Sequence, residues 1–251
     1  MEVTFNNRPQ IILFGDSITQ RSFGAGGWGA SMVNRYARKA DVILRGYSGY
    51  NTRWAVYMLK NLFPLTSPNP PLLVTVFFGA NDAALPDRGS RAQHVPLVEY
   101  KENLRKIVAH LKEANVKHII LITPPPVDIK GRQAYARATY GEKAEELPER
   151  TNEAAGQYAQ ACETVAQETG VRSINLWSIF QSTPNWEQKF LCDGLHFTPE
   201  GNMETFEQLE QLLDDPNLTP SLNWEVMPWC YPEYSAIDTE NPASSLGALD
   251  N

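Results

Sequence analysis

Five short apolar runs alternate with helix-like segments along this 251-residue chain, and this alternation constrains the fold more than any other feature. The runs cover residues 10–14, 41–45, 72–78, 118–123 and 171–175. Each is continuous and rich in Ile, Val, Leu or Phe, which is typical of strands covered on both faces. We therefore predict five buried strands.

Helical patterns lie between and after the runs, at 29–39, 52–61, 96–114, 150–168 and 200–213. The clearest is 96–114, where apolar residues recur at three- and four-residue steps from Leu97 to Leu111. The last helix has a strong start signal, because Thr198 can cap it and Pro199 suits its first position. Strands alternating with helices predict an α/β fold with a parallel sheet between two helical layers.

Two segments depart from this alternation. Residues 126–148 are too long for an ordinary connection, which leaves an active-site lid and an inert surface insertion as equal alternatives. The chain divides into a domain over 1–215 and a C-terminal extension over 216–251 that is rich in proline, tryptophan and tyrosine. We expect the extension to pack on the domain or on a second subunit, which would make a homodimer, with the last residues disordered.

The charge and cysteine content limit the partners and the location. A net charge of −7 disfavours nucleic acid and anionic membrane surfaces, and suits a neutral small-molecule substrate. No apolar run reaches about 18 residues, so we expect no stable membrane insertion. The three cysteines form no paired pattern and no signal peptide is evident, so we expect a cytoplasmic protein.

Polar residues suited to acyl transfer follow the apolar runs. Ser17 comes just after the first run, Asn81 just after the third, and Asp193 and His196 lie three residues apart before the last helix. A histidine oriented by a carboxylate can activate a serine hydroxyl, and an asparagine amide can donate to the oxyanion that forms. Taken singly, Ser17 could be a helix cap, and Asn81 and Asp193 could be turn residues.

Two other kinds of site fit less well. Residues 15–19 lack the second glycine of the Gly-x-Ser-x-Gly elbow, which disfavours an ordinary α/β-hydrolase. Asp193 and His196 have no second histidine or suitable cysteine placed to complete a zinc shell, so we expect no metal and no cofactor.

Four blocks of the sequence together resemble the SGNH, or GDSL-type, hydrolases. They are residues 14–17, 48–52, 79–82 and 193–196, and the resemblance spans about residues 8–213. It implies a three-layer α/β/α, flavodoxin-like sandwich with a central five-stranded parallel sheet. Local sequence at 15–20, 27–30, 45–54 and 193–197 is similar to the isoamyl acetate-hydrolysing esterase branch.

The resemblance also implies a role for each matching residue. Ser17 would be the nucleophile, His196 its base and acid, and Asp193 the group that orients His196. The oxyanion donors would be the Ser17 N–H, the Gly49 N–H and the Asn81 side chain. Gly49 read without the resemblance is a lone loop glycine that says little.

We therefore expect a serine carboxylester hydrolase that cleaves short-chain, acetate-type esters through an acyl-serine intermediate. Two alternatives within enzymes are an O-deacetylase of a sugar or other metabolite and a thioesterase, and a third is an inactive binding module on the same fold. Neighbours of the blocks are candidates for the substrate pocket: Trp28, Asn51, Phe78, Leu195 and Phe197. Each could equally be a core residue beneath the site.

Overall fold

A computed structural model describes residues 8–144, 147–215 and 221–247 of the chain. Within them, five parallel strands form one sheet in the order β2-β1-β3-β4-β5. The strands are β1 (Gln10–Gly15), β2 (Asp41–Gly46), β3 (Leu73–Phe77), β4 (His118–Ile122) and β5 (Arg172–Ile174). The predicted fold class and its five-stranded parallel sheet are confirmed.

Ten α-helices connect the strands and follow the sheet in the described residues. They are α1 (Ser17–Gln20), α2 (Trp28–Arg35), α3 (Thr52–Leu62), α4 (Leu97–Glu113), α5 (Ile129–Tyr140), α6 (Asn152–Thr169), α7 (Leu176–Gln181), α8 (Trp186–Phe190), α9 (Pro199–Asp214) and α10 (Pro242–Leu246). The helix predicted at 29–39 ends at Arg35, since the chain turns there and Arg38 has a positive φ of 63°.

Two apolar cores hold the three layers together, one on each face of the sheet. Along β1, Ile11 and Leu13 face one core with α2 and α9, whereas Ile12 and Phe14 face the other with α3, α4 and α6. Because successive strand residues point to opposite faces, a strand covered on both sides must be apolar at every position. This explains the continuous apolar runs of the sequence.

The strand order places a ligand site at one edge of the sheet. β1 pairs with β2 on one side and with β3 on the other. The strands after β2 are therefore added on the opposite side of β1, which makes β1 the switch point of the sheet. Open parallel sheets bind ligands outside the carboxyl ends of their strands at such a switch point. Ser17 follows β1 and Asn81 follows β3, so both lie at this edge.

The segment over 126–148 contains α5, which the sequence did not predict. Asp128 begins the helix by accepting hydrogen bonds from the backbone N–H groups of Lys130 and Gly131. Its side chains are mostly half-buried or exposed, with Arg132 the buried exception. A helix with no apolar stripe gives no periodic signal, which is why the pattern failed here.

The described part of the C-terminal extension packs against the end of α2. Tyr36 donates from its hydroxyl to Leu222 O (2.9 Å), and Cys230 N donates to Arg38 O (2.7 Å). Leu222 and Met227 join the core beneath α2. Residues 216–220 and 248–251 lie outside the described residues, and the disorder predicted for the last residues of the chain falls partly on 248–251. Of the described helices, none is long and apolar enough to cross a membrane.

Candidate active site

Ser17 lies in a tight turn between β1 and α1. Asp16 caps α1 by accepting a hydrogen bond from Ile18 N (2.9 Å), and the chain turns through Gly15 just before it. A Cβ on Gly15 would lie 2.5 Å from Phe77 O, so only glycine allows β3 to approach the turn this closely. The turn holds the largely buried Ser17 at the carboxyl end of the sheet.

Asp193 and His196 form a second tight turn that faces Ser17. His196 Nε2 lies 2.9 Å from Ser17 Oγ, and His196 Nδ1 lies 2.7 Å from Asp193 Oδ2. The other carboxylate oxygen, Oδ1, accepts hydrogen bonds from the backbone N–H groups of Leu195 (3.0 Å) and His196 (2.8 Å). Gly194 makes the turn with a φ of +80°. The hydrogen-bond chain runs from hydroxyl to imidazole to carboxylate.

The surroundings of Asp193 keep its carboxylate ionised. Burial alone would raise the pKa of Asp193, but the hydrogen bond and charge of His196, with the nearby charge of Arg132, hold it well below the usual range. An ionised acceptor opposite Nδ1 favours the tautomer that is protonated there. Nε2 is then free to accept the Ser17 proton.

Asn81 and Gly49 meet at the same edge of the sheet. The Asn81 side chain is buried, and its Nδ2 donates to Tyr50 O (2.8 Å) and lies 3.5 Å from Asp16 Oδ2. Gly49 precedes Tyr50 with a φ of +81°, a conformation that favours glycine. The structure thus places the Asn81 side chain beside the turn that carries Ser17, and the loop that contains Gly49 beside Asn81.

Most of the predicted pocket residues lie in the core instead of lining the site. Trp28 and Phe78 are 0% and 1% exposed and pack on opposite faces of the sheet, and Leu195 is buried as well. Asn51 is buried because its side chain caps α3 and donates to Gln93 O. The contacts observed for these four residues are packing and capping contacts. Phe197 is half-buried and contacts other aromatic rings.

Three aromatic rings that were not predicted as site residues flank the site. They are exposed or half-buried. The ring of Tyr50 lies against that of Tyr47 with centroids 5.5 Å apart and planes tilted by 35°, and it meets Trp54 edge-on at 5.5 Å. Tyr50 is 37% exposed and Trp54 is 38% exposed. The signal was available, because all three lie within or beside the block that contains Gly49. We call Tyr47, Tyr50 and Trp54 the aromatic rim.

Buried charged residues near the site were also missed. Arg132 donates to Glu149 and to Asp193 O, and Arg150 donates to Asn81 Oδ1 (3.0 Å). No local sequence signal marks these residues, since each contact joins segments far apart in the chain. In the described residues, no group of three or more His, Cys, Asp or Glu side chains is arranged to hold a metal.

Two buried carboxyls give a testable dependence of stability on pH. Burial is the main cause that raises the pKa of Asp16 and of Asp82 to about 7. An unfolded aspartate titrates near ~4, so the folded protein binds more protons between about pH 4 and 7. The contribution of these groups to stability is therefore present below about pH 4 and is lost as the pH rises towards 7.

We expect Asp16→Asn to reduce the loss of stability that occurs as the pH rises from about 4 to 7. The asparagine amide can still cap α1 but does not titrate. Urea unfolding at pH 5 and pH 8 measures it. The decrease in unfolding free energy between these two pH values should be smaller in the variant by on the order of 2 kcal/mol. Asp87→Asn, at an exposed aspartate, is the matched control and should behave as wild type. An equal decrease in all three proteins would contradict the prediction.

The fold and this geometry define an acyl hydrolase of the SGNH type, and comparison with known families agrees. The family model described as GDSL-like lipase/acylhydrolase matches residues 11–209. The chain belongs to this family of carboxylic ester hydrolases.

Relatives of known name cover nearly the whole chain. A GDSL esterase/lipase of Arabidopsis thaliana is 54% identical over 240 residues, which is 95% of this chain and 98% of that protein. The mouse isoamyl acetate-hydrolyzing esterase 1 homolog is 41% identical over 241 residues, or 95% of this chain and 92% of that protein. The bovine homolog is 45% identical over 209 residues, or 82% of each.

Solved structures share the fold. A lipase/acylhydrolase from Enterococcus faecalis superposes with a TM-score of 0.62 at 25% identity, covering 84% of this chain and 98% of that one. An acetylxylan esterase from Geobacillus stearothermophilus gives a TM-score of 0.61 at 20% identity, covering 82% and 94%. The second likeness concerns the fold alone.

Proposed function

We propose that this protein hydrolyses short-chain, acetate-type carboxylic esters through an acyl-Ser17 intermediate. The observation that carries the proposal is the hydrogen-bond chain from Ser17 Oγ to His196 Nε2 (2.9 Å) and from His196 Nδ1 to Asp193 Oδ2 (2.7 Å). A serine bonded to a histidine that is itself bonded to a carboxylate is the arrangement that activates a hydroxyl near neutral pH.

The reaction takes place in two halves. Ser17 Oγ attacks the ester carbonyl while His196 Nε2 takes its proton, which gives a tetrahedral oxyanion. This oxyanion receives hydrogen bonds from the Ser17 N–H, the Gly49 N–H and the Asn81 amide. His196 then returns the proton to the departing alcohol, leaving acyl-Ser17. Water, deprotonated by His196, attacks the acyl group and releases the acid and free Ser17.

Relatives support an acetate-type ester as the substrate. The mouse and bovine relatives are named for isoamyl acetate hydrolysis, and both cover at least four fifths of this chain. Isoamyl acetate joins a two-carbon acyl group to a branched apolar alcohol. The aromatic rim offers an apolar surface for such an alcohol beside the loop that carries Gly49.

A second candidate is the removal of acetyl groups from a sugar. The aromatic rim favours this too, because exposed Tyr and Trp rings present flat apolar faces with polar edges, and a sugar ring has both kinds of surface. The structural neighbour from Geobacillus stearothermophilus is named as an acetylxylan esterase. The two candidates share one acyl group and differ in the alcohol.

A substrate panel distinguishes these candidates. We expect isoamyl acetate to give a kcat/KM at least about tenfold above isoamyl octanoate, an acetylated xylo-oligosaccharide and acetyl-CoA, since ~1.4 kcal/mol of differential binding gives that ratio. The highest kcat/KM on the acetylated sugar would establish the second candidate instead. The highest value on octanoate or on acetyl-CoA would contradict both.

Covalent labelling with a fluorophosphonate identifies the nucleophilic residue in the same preparation. We expect one phosphonyl adduct per chain, located on Ser17 by mass spectrometry, and hydrolysis lost in proportion to labelling. Ser31→Ala, which removes an unrelated serine hydroxyl on α2, is the matched control and should label like wild type. Failure of the wild-type protein to label would contradict the proposed acyl-serine chemistry.

A further inference from the structure

The buried guanidinium of Arg150 contacts the groups that form the proposed oxyanion site. The Arg150 side chain is only 5% exposed. Its Nη2 donates to Asn81 Oδ1 (3.0 Å) and to Gln93 Oε1 (2.6 Å), and its Nε donates to Ala80 O (2.8 Å). Arg150 therefore binds the segment that carries Asn81 through both a backbone and a side-chain oxygen.

The contact with Arg150 decides which end of the Asn81 amide faces the reaction. A guanidinium has donors and no acceptor, so it can only bind the oxygen of that amide. With Oδ1 held by Arg150, Nδ2 must point the other way, where it donates to Tyr50 O (2.8 Å) and lies 3.5 Å from Asp16 Oδ2. Asp16 is the residue before Ser17. The second N–H of Asn81 is thereby directed towards Asp16 Oδ2, next to the turn that carries Ser17.

The same guanidinium reaches the second predicted donor through Gln93. Gln93 Oε1 accepts from Arg150, and Gln93 Nε2 donates to Gly49 O (3.2 Å). The backbone carbonyl of Gln93 accepts from Asn51 Nδ2 (2.9 Å), which anchors the far end of the loop. The loop that contains Gly49 is thus linked to Arg150 indirectly, through the side chain of Gln93.

The charge of Arg150 is compensated within the same cluster. Glu149 Oε1 accepts from Arg150 Nη1 (3.1 Å) and from Arg132 Nε (2.9 Å), and Arg132 Nη1 donates to Asp193 O (3.2 Å). Burial lowers the pKa of Arg150, yet a guanidinium stays protonated in proteins. A buried charge that makes four hydrogen bonds to protein oxygens is costly to disturb and holds those partners in place.

We propose that Arg150 is a positioning residue that keeps the Asn81 amide and, through Gln93, the Gly49 loop in the orientation that binds the oxyanion. The inference rests on the proposed function, because it takes Asn81 and Gly49 to be oxyanion donors. The hydrogen bonds of Arg150 in the described residues go to Ala80, Asn81, Gln93 and Glu149, so we assign it no direct part in the reaction. Arg150 lies just after the 126–148 segment and two residues before α6, and gives the site a buried support from there.

A double-mutant cycle between Arg150 and Asn81 tests this role. Arg150→Met keeps the length of the side chain but removes every donor, so the Asn81 amide and the loop lose their support. Because the full oxyanion exists only in the transition state, kcat should fall by about 100-fold with KM changed less than about threefold. Asn81→Ala should act similarly, and the double variant should be no slower than the slower single variant within about threefold.

The measurement uses full-length protein and a chromogenic acetate ester, with active sites counted by fluorophosphonate so that unfolded chains do not enter kcat. Arg105→Met is the matched control, because Arg105 pairs with Glu102 of α4 and with Glu168 of α6 on the exposed face of these helices. It should leave kcat within about twofold of wild type. If Arg150→Met does not fold, Gln93→Leu carries the test, with an expected loss of about tenfold in kcat alone.

Each other outcome overturns the proposal. Multiplying effects of Arg150→Met and Asn81→Ala would mean that the two residues act independently. A change in KM alone, or an unchanged kcat, would assign Arg150 to substrate binding or to stability. An unchanged kcat in Asn81→Ala would overturn both the positioning role and the oxyanion assignment. The reaction itself is tested separately at Ser17, so the two failures are distinguishable.

Discussion

Ser17→Ala is expected to lower kcat for a chromogenic acetate ester by about 10⁶-fold, to the background set by the remaining site. Without Oγ no acyl-enzyme can form, and His196 has no hydroxyl to deprotonate. The residual rate should come from oxyanion donors acting on water attack, which typically leaves about 10³-fold over the uncatalysed reaction. The measurement is steady-state hydrolysis, with each preparation freed of wild-type contamination by prior phosphonate treatment.

The fold should survive this substitution. The Ser17 hydroxyl bonds to His196 Nε2 and the side chain is largely buried, so alanine removes one oxygen and leaves the α1 cap on Asp16 intact. The thermal midpoint should move by no more than a few degrees, as expected for a change of about 1 kcal/mol. Turnover near that of wild type would overturn the assignment of the nucleophile, whatever the substrate panel shows.

The contacts among the proposed catalytic residues could be predicted from the sequence, whereas the contacts of other residues near the site could not. Ser17 and Asn81 each follow an apolar run, and the carboxyl ends of parallel strands meet at one edge. Asp193 and His196 are three residues apart, so their contact depends on a local turn. Both features, a residue's position at the end of a strand and the short spacing between two residues, can be recognised in a sequence. The roles of these residues stay predictions until their variants are measured.

Four of the five candidate pocket residues are buried, and their positions could not be read from the sequence. Phe77 and Phe78 are adjacent in sequence, yet they belong to cores on opposite faces of the sheet. Chain proximity to a catalytic block therefore does not imply that a side chain reaches the substrate. Trp28 starts α2 and faces inward, whereas Tyr50 and Trp54 lie on a loop and a helix start that remain exposed. A search for aromatic residues in the loops would have found this rim.

Arg150 illustrates a third case. It lies in a polar segment after Pro148, where an arginine is ordinarily a solvated surface residue. Its burial depends on Asn81, Gln93 and Glu149, which come from three parts of the chain. Only the assembled fold shows that these partners satisfy a buried charge. The same holds for α5, whose start depends on a cap instead of an apolar stripe.

Asp193→Asn should lower kcat by about 10⁴-fold, the loss expected when the histidine is held in the wrong tautomer. Asp193 Oδ1 accepts two backbone hydrogen bonds, from Leu195 N and His196 N, so the amide oxygen of the variant must take that place. Its NH₂ group then faces His196 Nδ1. Two donors cannot bond each other, so the ring carries its proton on Nε2 and cannot accept the proton of Ser17.

If Asp193 sets the tautomer of His196, Asp193→Asn should lower kcat more than Asp193→Ala does. Loss of a contact alone does not predict this order. Asp193→Ala removes the orienting carboxylate but imposes no tautomer on His196, so its kcat should fall less than that of Asp193→Asn. Asp128→Asn is the matched control, because Asp128 also caps backbone N–H groups but contacts no histidine, and its kcat should stay within about threefold of wild type. Nitrogen NMR of the His196 ring should show Nε2 protonated in Asp193→Asn at pH 8. If asparagine is tolerated better than alanine, Asp193 acts by packing the turn and not by setting the tautomer of His196.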